Sequence, residues 1–178
     1  HIGHMAIAQY MIEHTDLDKI WMVVSPQNPF KEKSTLLDQK HRLALVRIAT
    51  EEDSTLDASN IEFSLPVPSY TIDTLVYIKE KYPNDEFALI MGGDNLENFH
   101  KWKNHQLILE DHDIFVYPRP NTKASQFDKH PKVHLTQAPL MDISSVFIRK
   151  CIVEKKKVYY FLPNKVWQYV DEMNFYKK

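Results

Sequence analysis

The sequence has one cysteine, only three glycines, no surplus of positive charge and no long apolar run. A single cysteine, Cys151, excludes a disulfide framework and is compatible with a reducing compartment. A net charge of −2 provides no basic patch that would indicate a nucleic acid or an anionic membrane as partner. No apolar run approaches the roughly 20 residues of a membrane span, and no signal peptide is visible. We therefore expect a cytoplasmic protein that binds neither nucleic acid nor membrane.

The chain is long enough for a substantial core, with 178 residues of which 43% are apolar and 26% charged. Short apolar runs alternate with amphipathic stretches, which predicts an α/β fold with a mostly parallel, doubly wound sheet in three layers. We expect one domain over residues 1–178, with a helical C-terminal part from about 144 to 178 packed on it. The sequence leaves a homo-oligomer open.

Hydrophobic periodicity and turn residues set the expected elements. Helices are predicted at 3–14, 36–52, 71–82, 106–110 and 163–174, and strands at 19–25, 56–63, 86–91, 113–117 and 133–136. The expected cap of the second helix is Ser34 or Thr35. Cys151 has apolar neighbours at helical spacing and is expected in the core. The segment 118–131 is polar and rich in turn residues, so we expect a mobile loop there.

Two imidazoles stand at the predicted start of the first helix, in His1-Ile2-Gly3-His4. Gly3 would let a bulky group approach the backbone. Free N–H groups and the positive end of the helix dipole favour an anion at such a turn. With two imidazole donors beside it, the turn suits the phosphates of a nucleotide. A plainer interpretation is that these first residues, which include Gly-His-Met, are the remnant of a cleaved purification tag.

A second segment, Ile143-Ser144-Ser145-Val146-Phe147-Ile148-Arg149, repeats this arrangement near the other end of the chain. Ser144 and Ser145 open a predicted helix, and Arg149 follows one turn later on the same face. Alone, this is also the pattern of a plain capped helix. Together the two segments resemble the nucleotidyltransferase superfamily, which has His-x-Gly-His near the start and Ile-Ser-Ser-Thr-x-Ile-Arg near the end. Val146 replaces the threonine, so we expect one hydroxyl contact fewer and reduced phosphate contact.

Further motifs resemble successive signatures of bacterial nicotinate-nucleotide adenylyltransferases over essentially the whole chain. They are Pro68-Ser69-Tyr70-Thr71-Ile72-Asp73-Thr74, Gly92-Gly93-Asp94, Lys101-Trp102, Pro118-Arg119-Pro120, and Phe161-Leu162-Pro163 through Phe175-Tyr176. The resemblance implies adenylyl transfer from ATP to nicotinate mononucleotide, giving deamido-NAD and pyrophosphate in NAD biosynthesis. The family pattern also has a strand and a Gly-x-Phe-x-Pro turn before the first histidine. Because this sequence lacks both, we expect the natural chain to be longer.

The resemblance implies a catalytic set and a phosphate-binding set. The catalytic residues would be His1, His4 and Arg149, and the ATP and phosphate site would include Gly3, Ile143, Ser144 and Ser145. No residue need act as a nucleophile, because the ionised 5′-phosphate of the mononucleotide can itself attack the α-phosphorus of ATP. The protein would contribute positioning and charge neutralisation. Mg²⁺ would arrive with ATP, so we expect no metal site built by the protein.

The implied substrate-binding residues are Thr71, Asp94, Trp102 and Arg119. Thr71 at a helix start could bind the nicotinate carboxylate, and Trp102 offers a flat face for the pyridine ring. Asp94 could accept from a hydroxyl or hold a metal-bound water, and Arg119 could add positive charge. Plainer interpretations are helix caps for Thr71 and Asp94, packed core for Trp102 and a loop surface for Arg119. Lys31 could reach a phosphate or lie in solvent.

Other functions remain alternatives at this point. A sister adenylyltransferase would use nicotinamide mononucleotide or phosphopantetheine. The Pro-Ser-Tyr-Thr and Lys-Trp segments favour the nicotinate enzyme over the pantetheine one, but separate acid from amide only weakly. From another class, the chain could be a nucleotide-binding module without catalysis. Class I aminoacyl-tRNA synthetases share the literal His-Ile-Gly-His but need a far longer chain and a Lys-Met-Ser-Lys-Ser loop, and no Gly-x-x-x-x-Gly-Lys-Ser loop of a P-loop enzyme is present.

Overall fold

A computed structural model of the chain describes residues 1–27 and 37–177. Its elements in order are α1 (Ile2–His14), β1 (Ile20–Val23), α2 (Gln39–Thr50), β2 (Leu56–Ser59), α3 (Thr71–Lys81), β3 (Leu89–Gly92), α4 (Gly93–Glu97), α5 (His105–Asp111), β4 (Ile114–Tyr117), β5 (Val133–Leu135), α6 (Ser145–Val153) and α7 (Asn164–Glu172). All strand pairs among these residues are parallel. The strands form one sheet in the order β1-β2 and another in the order β3-β4-β5. The expected α/β class with parallel strands is confirmed.

The described residues divide into two compact units. Unit 1 contains residues 1–24, 37–60 and 141–177, and unit 2 contains residues 25–27 and 61–140. The helical C-terminal part therefore belongs to the same unit as α1. The single domain over the whole chain stays a prediction. None of the helices in the described ranges is long and apolar enough to cross a membrane.

Unit 1 is held together by helices that pack around the β1-β2 pair. In it, α2 packs on β2 and α7 packs on α2. The start of α6 is fixed by a buried cluster composed of Ile148, Cys151, Ile152, Val158 and Val170. Cys151 is buried, as expected. Burial of α1 on its Ile7 and Met11 side leaves His4 exposed at the first turn.

Unit 2 is organised around the three-stranded sheet. Leu89 of β3 pairs with Ile114 of β4, which pairs in turn with Val133 of β5. The apolar runs of β3 and β4 are typical of parallel strands buried on both faces. Their core cluster consists of Ile72, Leu75, Met91, Leu96, Phe99, Ile108, Leu109, Ile114, Val116 and Val133. This core contacts the first turn of α3 through Ile72 and the 3₁₀ turn before Trp102 through Phe99, so both segments are anchored.

Two predicted boundaries are wrong. The helix α2 begins at Gln39, where the Asp38 carboxylate accepts from the Lys40 N–H at 2.8 Å. Asp38 is the cap because its short side chain reaches the first free N–H groups, whereas Ser34 and Thr35 lie outside the described residues. The second strand ends at Ser59, and Ile61–Ser64 forms a 3₁₀ turn. The predicted strand over 56–63 therefore extends too far toward the C-terminus.

The segment 118–132 has no helix or strand, as expected, and it supplies the crossover between the parallel strands β4 and β5. It is attached to the core of unit 2 at two points. The Phe127 ring meets the Phe99 ring edge to face at 5.5 Å, and the Ser125 hydroxyl donates to the Leu96 carbonyl at 3.1 Å. Its mobility stays a prediction.

Candidate active site

The first turn of α1 carries both predicted catalytic histidines. His1 is the N-cap of the helix, and its Nδ1 accepts from the His4 backbone N–H at 3.3 Å. The two imidazole rings stack with centroids 3.7 Å apart and planes within 18°. Because Nδ1 of His1 accepts, the neutral ring carries its proton on Nε2. Capping therefore directs a single ring N–H of His1 away from its own helix.

Gly3 lies where His1 and Ile143 approach each other, since its missing side chain leaves space for both. A Cβ built on Gly3 would lie 3.2 Å from Nδ1 of His1 and 3.7 Å from Cβ of Ile143. The imidazole of His1 and the side chain of Ile143 thus both pack against the bare Cα. Consequently, the start of α1 and the residues just before α6 are neighbours within unit 1.

The start of α6 is capped as the sequence predicted. The Ser144 hydroxyl oxygen accepts from the Phe147 N–H at 3.1 Å, and Ser145 is the first helical residue. Arg149 lies one turn in, with its guanidinium carbon 5.9 Å from the centre of the Tyr176 ring. Burial raises the pKa of Tyr176, while the positive charges of Arg149 and Arg42 oppose that rise. Tyr176 therefore packs against the arginine as a neutral ring.

The two serines should separate stability from activity. We expect Ser144→Ala to lose the cap, which costs about 1 kcal/mol and lowers Tm by about 2–4 °C for a chain of this size. Ser145 makes no capping bond to its helix, so Ser145→Ala should leave Tm unchanged and raise KM for ATP. Thermal unfolding and steady-state kinetics of both variants check this. A Ser145→Ala variant with the larger loss of Tm would contradict it.

In unit 2 the first turn of α3 lies close to the segment that carries Trp102. The N-cap of α3 is Tyr70, which makes no capping side-chain hydrogen bond in the described structure. Lys103, next to Trp102, lies 2.9 Å from an Asp73 carboxylate oxygen and 4.7 Å from the centre of the Tyr70 ring. Because Tyr70 is the N-cap, Thr71 is the first helical residue, and the interpretation of Thr71 as a cap is wrong. This leaves the first N–H groups of α3 beside the Trp102 segment.

Trp102 packs on the core of unit 2 and is also partly exposed. Its ring meets the Phe99 ring edge to face at 5.4 Å, and both Trp102 and Tyr70 lie against the same buried cluster. Edge-to-face packing fixes the orientation of the indole while leaving part of it accessible. The core interpretation and the substrate-binding interpretation are therefore compatible for this residue.

Asp94 and Arg119 are brought together at the end of β3. The carboxylate of Asp94 lies 3.8 Å from Nε of Arg119. The N-cap of α4 is Gly92, so Asp94 is not the cap that the plainer interpretation assumed. Nearby, burial raises the pKa of Tyr117, with Arg119 lowering it and Asp94 raising it. Arg119 and Asp94 thus carry opposite charges close together at the end of β3, and their roles in substrate binding stay predictions.

The close packing at Gly92 predicts a strong difference between neighbouring glycines. A Cβ on Gly92 would lie 2.5 Å from the Asp94 carboxylate and 2.9 Å from Cγ of Arg119, whereas on Gly93 the nearest atom is 3.2 Å away, on Thr122. Gly92→Ala must therefore displace the Asp94–Arg119 pair. Losing one charge-assisted contact would raise KM for the second substrate about tenfold or more. Gly93→Ala is the matched control, and equal effects of the two changes would contradict the prediction.

The predicted residues fall into two groups, one in each unit. Unit 1 holds His1, Gly3, His4, Ile143, Ser144, Ser145 and Arg149, and unit 2 holds Thr71, Asp94, Trp102 and Arg119. Within the described ranges no three His, Cys, Asp or Glu side chains are grouped to hold a metal ion. Lys31 lies outside the described residues. The sequence did not single out Lys103 or Glu62, because an isolated charged residue carries no spacing signal until its partner is known.

Comparisons with known proteins show the family to which the chain belongs. The profile of the cytidylyltransferase-like family matches residues 1–151. A Flavobacterium johnsoniae protein named "Probable nicotinate-nucleotide adenylyltransferase" is 55% identical over 100% of this chain and 93% of its own length. The chain belongs to the nicotinate-nucleotide adenylyltransferase family. A member with the same name from Bacteroides thetaiotaomicron is 44% identical over 97% of this chain and 85% of its own.

Solved structures show that this nicotinate-nucleotide adenylyltransferase family member has the expected nucleotidyltransferase fold. Plasmodium falciparum nicotinic acid mononucleotide adenylyltransferase, complexed with NaAD, superposes with a TM-score of 0.80 at 20% identity, covering 98% of this chain and 90% of that one. The same enzyme complexed with APC gives a TM-score of 0.76 at 18% identity, covering 97% and 89%. At such low identity the likeness concerns the fold, while the enzyme class follows from the closer relatives.

Proposed function

We propose that this chain transfers the adenylyl group of ATP to nicotinate mononucleotide, giving deamido-NAD and pyrophosphate in NAD biosynthesis. One observation carries the proposal: the His1–His4 turn and the residues before α6 meet at Gly3. Two helix starts, two imidazoles and an arginine in one compact unit form a set of donors suited to phosphate. The names of the relatives, and a structural neighbour complexed with NaAD, support nicotinate mononucleotide as the second substrate.

The reaction needs no nucleophile from the protein. An oxygen of the 5′-phosphate of the mononucleotide forms a bond to the α-phosphorus of ATP. The bond from that phosphorus to the oxygen bridging to the β-phosphate breaks, and its electron pair leaves with pyrophosphate. Negative charge thus builds on the oxygens around the α-phosphorus and on the leaving group, where fixed donors are most effective.

The residues at the start of α1 would supply donors to this charge. His1 presents Nε2–H because its Nδ1 is occupied by the His4 N–H. His4 is exposed at the same turn and stacked on His1, so the orientation of each ring is fixed by the other. Such fixed donors need no reorganisation when charge develops, which is how they lower the barrier.

The start of α6 would hold the remaining phosphate oxygens. The Ser144 oxygen accepts from the Phe147 N–H but its own hydroxyl hydrogen can still be donated. Ser145 adds a hydroxyl and a free backbone N–H, and Arg149 adds a positive charge held against Tyr176. Mg²⁺ would enter bound to the triphosphate as part of the substrate and neutralise charge on the leaving pyrophosphate.

The residues of unit 2 would recognise the mononucleotide. Trp102 offers an oriented indole face for the pyridine ring. The free N–H groups at Thr71, with the positive end of the α3 dipole, suit the nicotinate carboxylate. Asp94, fixed by Arg119, could accept from a ribose hydroxyl.

The test is pyrophosphate release from ATP and Mg²⁺ with three separate acceptors. We expect rapid release with nicotinate mononucleotide, slower release with nicotinamide mononucleotide, and none with phosphopantetheine. Faster release with either of the other acceptors would replace the proposal with a sister adenylyltransferase. ATP binding without release for any acceptor would indicate a nucleotide-binding module.

A further inference from the structure

A carboxylate outside the sites described so far, that of Glu62, is surrounded by hydroxyl groups in unit 2. Its Oε2 accepts from the hydroxyls of Ser25 and Ser69, the latter at 2.6 Å, and its Oε1 accepts from the Thr74 hydroxyl at 2.9 Å. Ser69 and Thr74 are buried, with 6% and 5% of their surface exposed. Three hydroxyls from separate positions along the chain therefore meet at one side chain.

The number of available hydrogens determines which hydroxyl donates to which acceptor in this cluster. Each hydroxyl has one hydrogen to donate, and a carboxylate can only accept. Although the Ser25 and Ser69 oxygens lie 3.0 Å apart, both hydrogens are used when each serine donates to Glu62. The carboxylate thus sets the rotation of the two serine hydroxyls and offers the Thr74 hydroxyl its shorter bond. Removing the centre of this partly buried network takes away an acceptor shared by three hydroxyls.

Two of the three donors flank the first turn of α3. Ser69 lies two residues before Thr71, and Thr74 lies three residues after it. The Thr74 N–H also donates to the Tyr70 carbonyl, and its hydroxyl lies 3.3 Å from that same carbonyl. Glu62 therefore fixes the chain on both sides of the free N–H groups that follow Tyr70.

We propose that Glu62 is a positioning residue that sets the specificity of the mononucleotide pocket by fixing the backbone donors at the start of α3. The inference rests on the proposed function, in which those donors bind the nicotinate carboxylate. Glu62 itself does not touch the substrate in this role. Its effect is on the direction of the N–H groups from Thr71 to Asp73.

Kinetics of Glu62→Ala and Glu62→Gln test the proposal. We expect Glu62→Ala to raise KM for nicotinate mononucleotide about tenfold, to leave KM for ATP within about twofold, and to reduce the preference for the acid over the amide. Glu62→Gln should restore most of the wild-type KM for nicotinate mononucleotide and most of the preference for the acid. Its carbonyl can accept from both serines, and its amide can donate to Thr74, whose hydroxyl then turns to the Tyr70 carbonyl.

Controls keep structural effects apart from positioning. Glu80 is exposed in the last turn of α3, so Glu80→Ala should leave both KM values, the acid preference and Tm unchanged. If Glu62→Ala does not fold, Ser69→Ala and Thr74→Val each remove one donor and should give smaller rises in the same KM. A lower Tm with unchanged KM and unchanged acid preference in Glu62→Ala, Ser69→Ala or Thr74→Val would overturn the proposal.

Amide hydrogen exchange separates this inference from the proposed function. In the protein without substrates, Glu62→Ala should speed exchange of the Thr74 N–H, which donates to the Tyr70 carbonyl and closes the first turn of α3, and Glu62→Gln should not. This result does not depend on the reaction. Wild-type protein that fails to use nicotinate mononucleotide would refute the proposed function, whereas unchanged exchange of the Thr74 N–H in Glu62→Ala would refute the role of Glu62.

Discussion

Replacing His4 by alanine should reduce kcat about a hundredfold, because one fixed donor to transition-state charge is worth roughly 3 kcal/mol. The free energy of unfolding of the His4→Ala variant should change little. The bond to Nδ1 of His1 comes from the backbone N–H of residue 4, which alanine retains. The stacking with the His1 ring is lost. The measurements are kcat at saturating ATP, Mg²⁺ and mononucleotide, together with Tm.

Two further histidine variants sharpen this test. His14 lies exposed in the last turn of the same helix, so His14→Ala is a matched control that should keep full activity. His1→Ala should lose activity and also the N-cap, at about 0.5–2 kcal/mol of stability. An unchanged kcat in His4→Ala at saturating substrates would remove the histidine from the catalytic set.

Nicotinate mononucleotide should be preferred over its amide by roughly tenfold to a hundredfold in kcat/KM. The difference between the two is a carboxylate, and a hydrogen bond to a charged group contributes about 1.5–3 kcal/mol. The uncapped start of α3 supplies N–H groups and a favourable dipole for it. Comparing kcat/KM for the two mononucleotides in the wild type tests this, and equal values would defeat the assignment.

Trp102→Ala should raise KM for the mononucleotide more than KM for ATP. Since the indole packs against Phe99, the alanine variant should also lose some stability. Trp102→Phe keeps an aromatic ring at the same place and is the appropriate companion, with a smaller rise in KM. A Trp102→Ala variant in which only KM for ATP rises would place the ring at the other substrate.

The parts of the fold that the sequence predicted are those with a local signal. Ser144 precedes a helix and caps it, the runs in β3 and β4 are apolar throughout, and Cys151 has apolar neighbours. Each of these depends on residues close together in the sequence. The α/β class follows from the same alternation of apolar runs and amphipathic stretches.

The relationships that the sequence did not predict join residues far apart along the chain. The sequence predicted a strand over 56–63 and did not single out Glu62, because its three hydroxyl partners are spread from Ser25 to Thr74. Lys103 was noticed only as a polar neighbour of Trp102, although Asp73 holds it at 2.9 Å. At Thr71 and Asp94 the sequence left the choice between cap and binding residue open, since both roles use the same residue types at a helix start.

The division of the proposed residues between the two compact units bears on how enzymes of this kind could diversify. All residues assigned to phosphate lie in unit 1, and all residues assigned to the mononucleotide lie in unit 2. Substitutions confined to residues 61–140 could therefore alter the choice of acceptor while the chemistry at phosphorus is inherited unchanged. Such a lineage would acquire new substrates through changes in one stretch of the gene while the other stretches are kept.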